Sequence, residues 1–412
     1  MATSARFADA SHYGLAESRK IYLPEELNVA KMYSMFKDLH PRVDICEQSY
    51  RNIFNNKFNI SFGYPRKDTC SKCDEMQCQI AAEVNVEIKQ QLSDELQEHH
   101  ANANVFYTRK ASARESSQRT RDTLAVAFDY WKNLPCPNVT TNDVYYRRQL
   151  SVYTFNIHVL TTSSVYLYTY DESVARKGAD DVCSMLEHFC RENVPDEIQK
   201  LKLFCDGCAG QNKNWTMIRF LYYLVHYAKR FEEIRITFPV RGHSYMECDR
   251  DMGAVNQSSR AETPADWHNV FAAARKRPSP YHVVEMEAHQ FVAMTAFLKP
   301  FFRATCPIGT RPVREFVFRR EQPGLLLYRE NWHGQMLTAI VRKRGRNVDH
   351  SIFPDESQRK LLYTAPLPIS QAKYQDLQVL KRFCSPATQQ YFTSLQASGD
   401  QASGDSDSEH DA

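Results

Sequence analysis

At 412 residues, with 42% hydrophobic and 25% charged composition, the chain is long enough to bury a real core and is ordinary for a globular protein, which excludes a fibrous or wholly disordered chain. Nothing approaches the roughly 20 apolar residues of a membrane span, and the N-terminal MATSARFADASHYGLAESRK lacks the apolar run of a secretory signal, so an intracellular protein without membrane contact is expected. The formal charge of +3 is too small to argue for nucleic acid alone, yet it averages over an acidic tail ending SGDQASGDSDSEHDA. The remaining body is more basic, with runs at Arg109–Arg121 and Arg342–Arg346 that suit phosphate contacts and suit solvated loops equally well.

In chain order, LNVAKMYSMFKDL and EQSYRNIFNNKF are two apolar-periodic stretches separated by the breaker-rich HPRVDI. They read as a helical, helix-turn-helix-like region over 1–66, or as a helical pair packed on the core. The second stretch sets Tyr50, Ile53, Phe54 and Phe58 on one face, with Arg51 and Lys57 on the other. Residues 67–121 hold Cys70-x2-Cys73, a long polar helix and a basic linker.

Twelve cysteines in a chain without an export signal read as reduced thiols, most of them core residues. Cys70-x2-Cys73 has the spacing of a zinc knuckle, and His99 or His100 are the tempting partners. A straight helix from Asp74 to His99 would run roughly 35 to 40 Å, so the histidines join only if the helix breaks or doubles back. Cys78 and Cys46 are the other candidates for a structural zinc, and two plain reduced thiols are the alternative.

Residues 122–278 alternate strands and helices in a definite order. TLAVAFDYW is a strand with Leu124, Val126 and Phe128 on one face and Ala125, Ala127 and Asp129 on the other. RQLSVYTFNIHVL and SSVYLYTYDE are strands joined by a hairpin, and GADDVCSMLEHFCREN is a helix. KLKLFCDG is a fourth strand ending at Asp206, followed by the loop GCAGQNKN with Gln211 and Asn212, and Asn214 caps the helix WTMIRFLYYLVHYAKRF. EIRITFPV is the fifth strand, leading into GHSYMECDRDMG and the helix ADWHNVFAAARK. Residues 279–395 hold a helix, three short strands and terminal helices, expected as a small α+β C-terminal domain, and 396–412 as a disordered acidic tail.

By fold-level analogy this order matches an RNase H-like mixed five-stranded sheet with flanking helices, an α/β fold. In that fold the first and fourth strands lie side by side, so acids at their ends converge and a third arrives after the fifth. Asp129, Asp206 and Asp249 are the expected metal-binding, catalytic acids, for Mg²⁺ or Mn²⁺, because carboxylates are the preferred ligands of the hard cations that act on a phosphate. An Asp at a strand end is also a common turn or cap residue, and only the combination favours a site. The third acid stays open among Glu247, Asp249 and Asp251, with Asp249 preferred. Glu172, ending the third strand, is a candidate extra ligand, with a surface acid as the alternative. His243 is a candidate to orient water or phosphate, with a hydrogen-bonded core histidine equally in view.

The strings SHYGLAESRKIYL, KMYSMF, YRNIF, PRKDTCSKCD, YYRRQLSVYTFNIH, DGCAGQNKN and GHSYMECDRDMG resemble an uncharacterised eukaryotic family of transposon-derived proteins, over most of the chain from Ser11 to Leu395. The resemblance implies an RNase H-like core of the DDE transposase and integrase type, with Asp129, Asp206 and Asp249 at the shared acidic positions. Family members often begin further upstream, so an N-terminal DNA-binding region is expected before this chain. The expectation is metal-dependent strand cleavage or joining on DNA in the nucleus. A domesticated, catalytically inactive nucleic-acid-binding protein, an RNase H-like nuclease, a cytoplasmic location and a homo-oligomer all stay open.

Overall fold

The computed structural model describes residues 21–23, 27–58, 60–62, 70–257, 259–343 and 354–398. Residues 344–346 of the second basic run and 399–412 of the expected disordered tail lie outside the described residues, while Gln396 at the start of that tail accepts from the Ile369 amide at 2.9 Å. Two compact units emerge: 1–104 with 240–243, and 105–239 with 244–412.

In the first unit the chain runs through β1 (Ile21–Leu23), α1 (Val29–Leu39), α2 (Glu47–Lys57), β2 (Ile60–Phe62), α3 (Ser71–Ala82) and the start of α4 (Val86–Arg119), with β1 and β2 paired in parallel. Asn28 caps α1 by accepting from the Lys31 amide, 2.8 Å away. The expected apolar face of α2 is only half realised. Phe54 is buried and stacks on Phe62, and Tyr50 meets Tyr33 and Phe36, but Ile53 and Phe58 are exposed. Arg51 pairs with Glu47 one turn back along the same helix.

The second unit takes the rest of α4 and then β3 (Thr123–Tyr130), β4 (Leu134–Cys136), α5 (Asp143–Tyr146), β5 (Leu150–Val159), β6 (Val165–Asp171), α6 (Ala179–Glu192), β7 (Lys200–Phe204), α7 (Trp215–His226), β8 (Glu233–Thr237), α8 (Glu247–Gly253), α9 (Pro264–Ala274), β9 (His282–Glu285), α10 (Met294–Leu298), β10 (Glu315–Arg319), β11 (Leu325–Arg329), β12 (Leu337–Ile340), α11 (Gln371–Leu380) and α12 (Pro386–Ser394). It is a mixed α/β unit built on a ten-stranded sheet in the order β12-β11-β10-β8-β7-β3-β5-β6-β9, with β4 paired to β5. The three expected C-terminal strands do form, but as β10–β12 they extend the same sheet antiparallel to β8 instead of making a separate domain. The sheet is therefore nine strands across where five were expected, with β4 as a tenth beside β5.

Helices cover both faces. Val126, Phe128, Phe155 and Ile157 pack toward α6 and α7, while Ala125, Ala127 and Phe204 pack on Phe106 and Ala113 of α4. That split matches the two-residue alternation of the first strand. Small alanines on β3 let the α4 helix approach closely. A third cluster centres on Trp267 of α9, fully buried, its indole N–H donating to the Pro135 carbonyl at 3.0 Å. Most of the first basic run is helical. Arg109 reaches Glu315, whose carboxylate is completely buried among Arg109, Arg235 and Arg329. Among the described residues no helix is long and apolar enough to cross a membrane.

Removing the Trp267 indole should leave an apolar cavity and one unmatched carbonyl. Trp267→Ala is expected to lower unfolding free energy by about 3–5 kcal/mol, read from urea denaturation. An unchanged denaturation midpoint would show that α9 is not part of the core.

Candidate functional site

The geometry of the acid set follows from one strand pairing. β3 and β7 run parallel with Ala127 opposite Phe204. Asp129 and Asp206 each lie two residues further along, so they sit at one level at the same end of adjacent strands. The β7 strand has ended by then, and Asp206 is held by its loop: its Oδ1 accepts from the Cys208 amide at 3.2 Å and the Asn212 side-chain amide at 2.5 Å. Asn212 is buried within that loop, and Asn214 caps α7 by accepting from the Met217 amide, as expected. Asp129 is fixed by the Tyr130 amide at 2.7 Å.

The three candidates for the third acid differ in what their neighbours do. Glu247 pairs with Lys110 of α4 at 2.8 Å. Asp251 is buried, accepting from His158 at 2.7 Å and Asn156 at 3.2 Å, with Arg275 3.6 Å away. Asp249 makes neither kind of contact. Its Oδ2 accepts from the Met246 amide at 2.7 Å in the first turn of α8, and its charge is felt at Asp129. The helix is fastened on both sides of it, by Asp251 and by the Trp131 indole donating to the Cys248 carbonyl at 3.0 Å.

Each of the three acids thus uses one oxygen to accept hydrogen bonds from nearby amides and directs no oxygen at a cation of an ion pair among the described residues. All three carboxyls are pushed above the usual carboxylate value. For Asp129 the cause is first loss of solvation and then repulsion from Asp206 and Asp249, and for Asp206 and Asp249 it is chiefly loss of solvation. They are crowded by protein but not sealed: Asp129 and Asp206 are partly accessible and Asp249 is exposed. Lys213, missed in the sequence, is buried beside Asp206 with its ammonium donating to the Arg311 carbonyl at 2.9 Å, and burial lowers its pKa to about 8.

Two sequence candidates fall elsewhere. Glu172 is buried in an ion pair with Lys373 at 2.9 Å and also accepts from the Ser151 amide, so its charge is already matched inside the fold. A lysine two hundred positions away in sequence gave no local signal. His243 belongs to the first unit, with its Nε2 3.4 Å from Cys73 Sγ and 3.0 Å from His99 Nε2.

That second cluster is where the expectation of a straight helix fails. The helix breaks at 83–85, where Asn85 accepts from the amides of Glu87 and Ile88 and starts α4 afresh. The chain travels about 15 Å out along α3 and about 20 Å back along α4, returning His99 to Cys70. Cys70 Sγ lies 3.4 Å from His99 Nε2, and Cys73 Sγ lies 3.4 Å from His100 Nε2. One ligand atom each from Cys70, Cys73, His99 and His243 all fall within 4.8 Å of one another, a set that could hold a metal ion. Among the described residues the three acids do not meet that criterion. Cys46 and Cys78 are exposed and outside the cluster. Burial, and then the neighbouring Cys70, push the Cys73 thiol up to about 12.

The second unit is therefore a mixed α/β fold with Asp129 and Asp206 at the ends of two adjacent parallel strands and Asp249 in the first turn of α8, none of them in an ion pair among the described residues. A family model described as Domain of unknown function (DUF7869) matches residues 149–333, less than half of the chain. The match takes in Asp206, Asp249 and His243 and begins after Asp129. No curated protein matches the sequence.

A carboxyl whose folded pKa exceeds its unfolded one binds protons more tightly when folded. Its contribution to stability is complete below the unfolded value, near 3.8 for Asp129, and is lost as pH rises through the folded value. Asp129→Asn should therefore raise the melting temperature of metal-free protein at neutral pH, with the gain over the parent shrinking on acidification. A variant less stable than the parent at neutral pH would remove the case for repulsion within the set.

Proposed function

We propose that this chain is a transposon-derived, RNase H-like protein of the DDE transposase and integrase type, acting on DNA by metal-dependent phosphoryl transfer. The observation that carries the reading is the contrast among acids. Asp251, Glu247, Glu172 and Glu315 each sit in an ion pair with a lysine or arginine, whereas Asp129, Asp206 and Asp249 lie near one another outside any ion pair among the described residues. Lysines act on each at longer range, yet loss of solvation still holds all three carboxyls up, and groups perturbed in this way concentrate at working sites. The strand run β6-β5-β3-β7-β8, with its first and fourth strands adjacent, supports the fold analogy.

Carboxylate oxygen is the donor type that hard divalent ions take, although the three acids do not converge as closely as the thiol and imidazole set of the first unit. Oxygen donors take Mg²⁺ or Mn²⁺, and two ions about 3.5–4 Å apart need carboxylates spread over more than one coordination shell. Bound ions of this kind supply charge stabilisation to the attacking and leaving oxygens of a phosphodiester. The chain's own part is positional. The Tyr130 amide and the Asn212 side chain aim Asp129 and Asp206, and the Met246 amide aims Asp249 from the fastened α8 helix. A DNA substrate places the work in the nucleus. The thiol and imidazole donors of the first unit lie outside this chemistry and suit a structural zinc.

Purified protein with Mg²⁺ or Mn²⁺ should cleave or join DNA strands, and Asp206→Asn should reduce the rate by about a thousandfold, the several kcal/mol that ion-mediated charge stabilisation is worth. Duplex DNA, RNA and hybrid duplexes should be compared side by side. Absence of turnover on all of them, together with salt-dependent DNA binding that survives Asp206→Asn, would replace the enzyme with a nucleic-acid-binding protein.

A further inference from the structure

We infer that Cys70, Cys73, His99 and His243 form a closed tetrahedral zinc site that holds the N-terminal unit together. The site shares no residue with the acid set, so it stands whether or not the phosphoryl-transfer reading does.

Zinc bonds of about 2.3 Å to sulfur and 2.0–2.1 Å to nitrogen, at tetrahedral angles, give edges of about 3.3 Å between nitrogens and about 3.6 Å between nitrogen and sulfur. The His99 and His243 Nε2 atoms lie 3.0 Å apart, and two of the S···N edges, Cys70 to His99 and Cys73 to His243, are 3.4 Å. These three of the six edges are each within a few tenths of an ångström of the ideal figure, and the other three are within 4.8 Å. Hydrogen bonding alone accounts for these contacts in pairs, but it gives no reason for four donors from three chain segments to converge within 4.8 Å.

Donor type narrows the ion. Two thiols and two imidazoles form a Cys2His2 set, which suits zinc far better than magnesium or calcium. All four positions are protein groups, so no vertex is left for water or substrate, and the role is structural.

The backbone is built for the same purpose. Cys70 and Cys73 are buried at the start of α3, and His243 is buried at the far end of the chain segment 240–243. That segment can approach only because residue 242 is glycine. Its φ is +79°, and a Cβ there would sit 2.8 Å from Cys70 Sγ and 3.0 Å from Cys70 Cα. His100 is the rival ligand, since it too comes within 3.4 Å of Cys73 Sγ. It is not part of the mutually converging set, and instead lines a shallow groove with Gln77, Lys89 and Ser93. His243 is the fourth ligand.

The test uses the full chain. Mass-spectrometric metal analysis should find one tightly held zinc per chain, and Co²⁺ exchanged into the site should give the intense visible bands of tetrahedral coordination with thiolate charge transfer. His243→Ala should weaken zinc at least about a hundredfold in competition with a chromophoric chelator, more than loss of an outer-shell group does. His100→Ala and Asp206→Asn should keep full stoichiometry. Because Cys73→Ser is open to the objection of misfolding, circular dichroism of each variant with and without zinc accompanies the titration. Substoichiometric zinc in the wild-type chain, an octahedral cobalt spectrum, or retention of zinc by His243→Ala with loss in His100→Ala would each overturn the assignment. Zinc lost from Asp206→Asn would overturn its independence from the acid set.

Discussion

The parallel pairing of β3 with β7 is the constraint on which the rest of the second unit depends. Ala127 opposite Phe204 brings two carboxylates to the same height on neighbouring strands, in surroundings that disfavour their charge. Hydrophobic burial on the faces of this sheet, around Val126, Phe128 and Leu203 on one side and Phe106, Ala127 and Phe204 on the other, offsets the repulsion. Slipping that register by one residue would separate the acids and turn one of them toward the opposite face. The pairing, the packing and the acid set stand or fall together.

Elsewhere in the same unit, charge is neutralised with care. Glu315 is enclosed by three arginines, Glu172 meets Lys373 in a dry setting, and Asp251 holds His158 and Asn156 while Arg275 stands by. Breaking such pairs leaves a buried charge without compensation, which is costly. Asp171 and Asp181 are buried singly, held by amides and hydroxyls, whereas Asp129, Asp206 and Asp249 lie near one another outside any ion pair. Their oxygens are steered by backbone and side-chain amides, which fix direction without cancelling charge.

The two candidate metal sets differ in kind, and each suits its unit. Oxygen donors that are partly open to solvent, at strand ends and in a helical first turn, leave room for exchangeable hard ions and a substrate. Sulfur and nitrogen donors buried at the start of α3, on α4 and beside Gly242 leave none. Among the described residues of the first unit the large buried apolar side chains are few, Phe54 and Met76 among them, and a metal cross-link is a physically sensible way to steady them.

Local pattern made the alternation of strands and helices legible, because side-chain period is a property of the chain itself. The faces of β3, the Asn214 cap, the strands β10–β12 and the placement of Asp129 and Asp206 at strand ends were all readable this way. Tertiary structure alone decided what depends on distant partners. Asp249 was separable from Glu247 and Asp251 only through Lys110, His158 and Arg275. Glu172 was removed from the acid set by Lys373. The C-terminal strands joined the sheet through an antiparallel pairing with β8 that no local pattern announces. The Asn85 cap that breaks the helix and returns His99 was present in the sequence as an N-cap signal, but without glycine or proline to mark a turn it reads as one more polar helical residue. The sequence determined which side chains could act, since composition and period are local. The tertiary structure decided which of them meet, since proximity depends on how distant segments pair and pack.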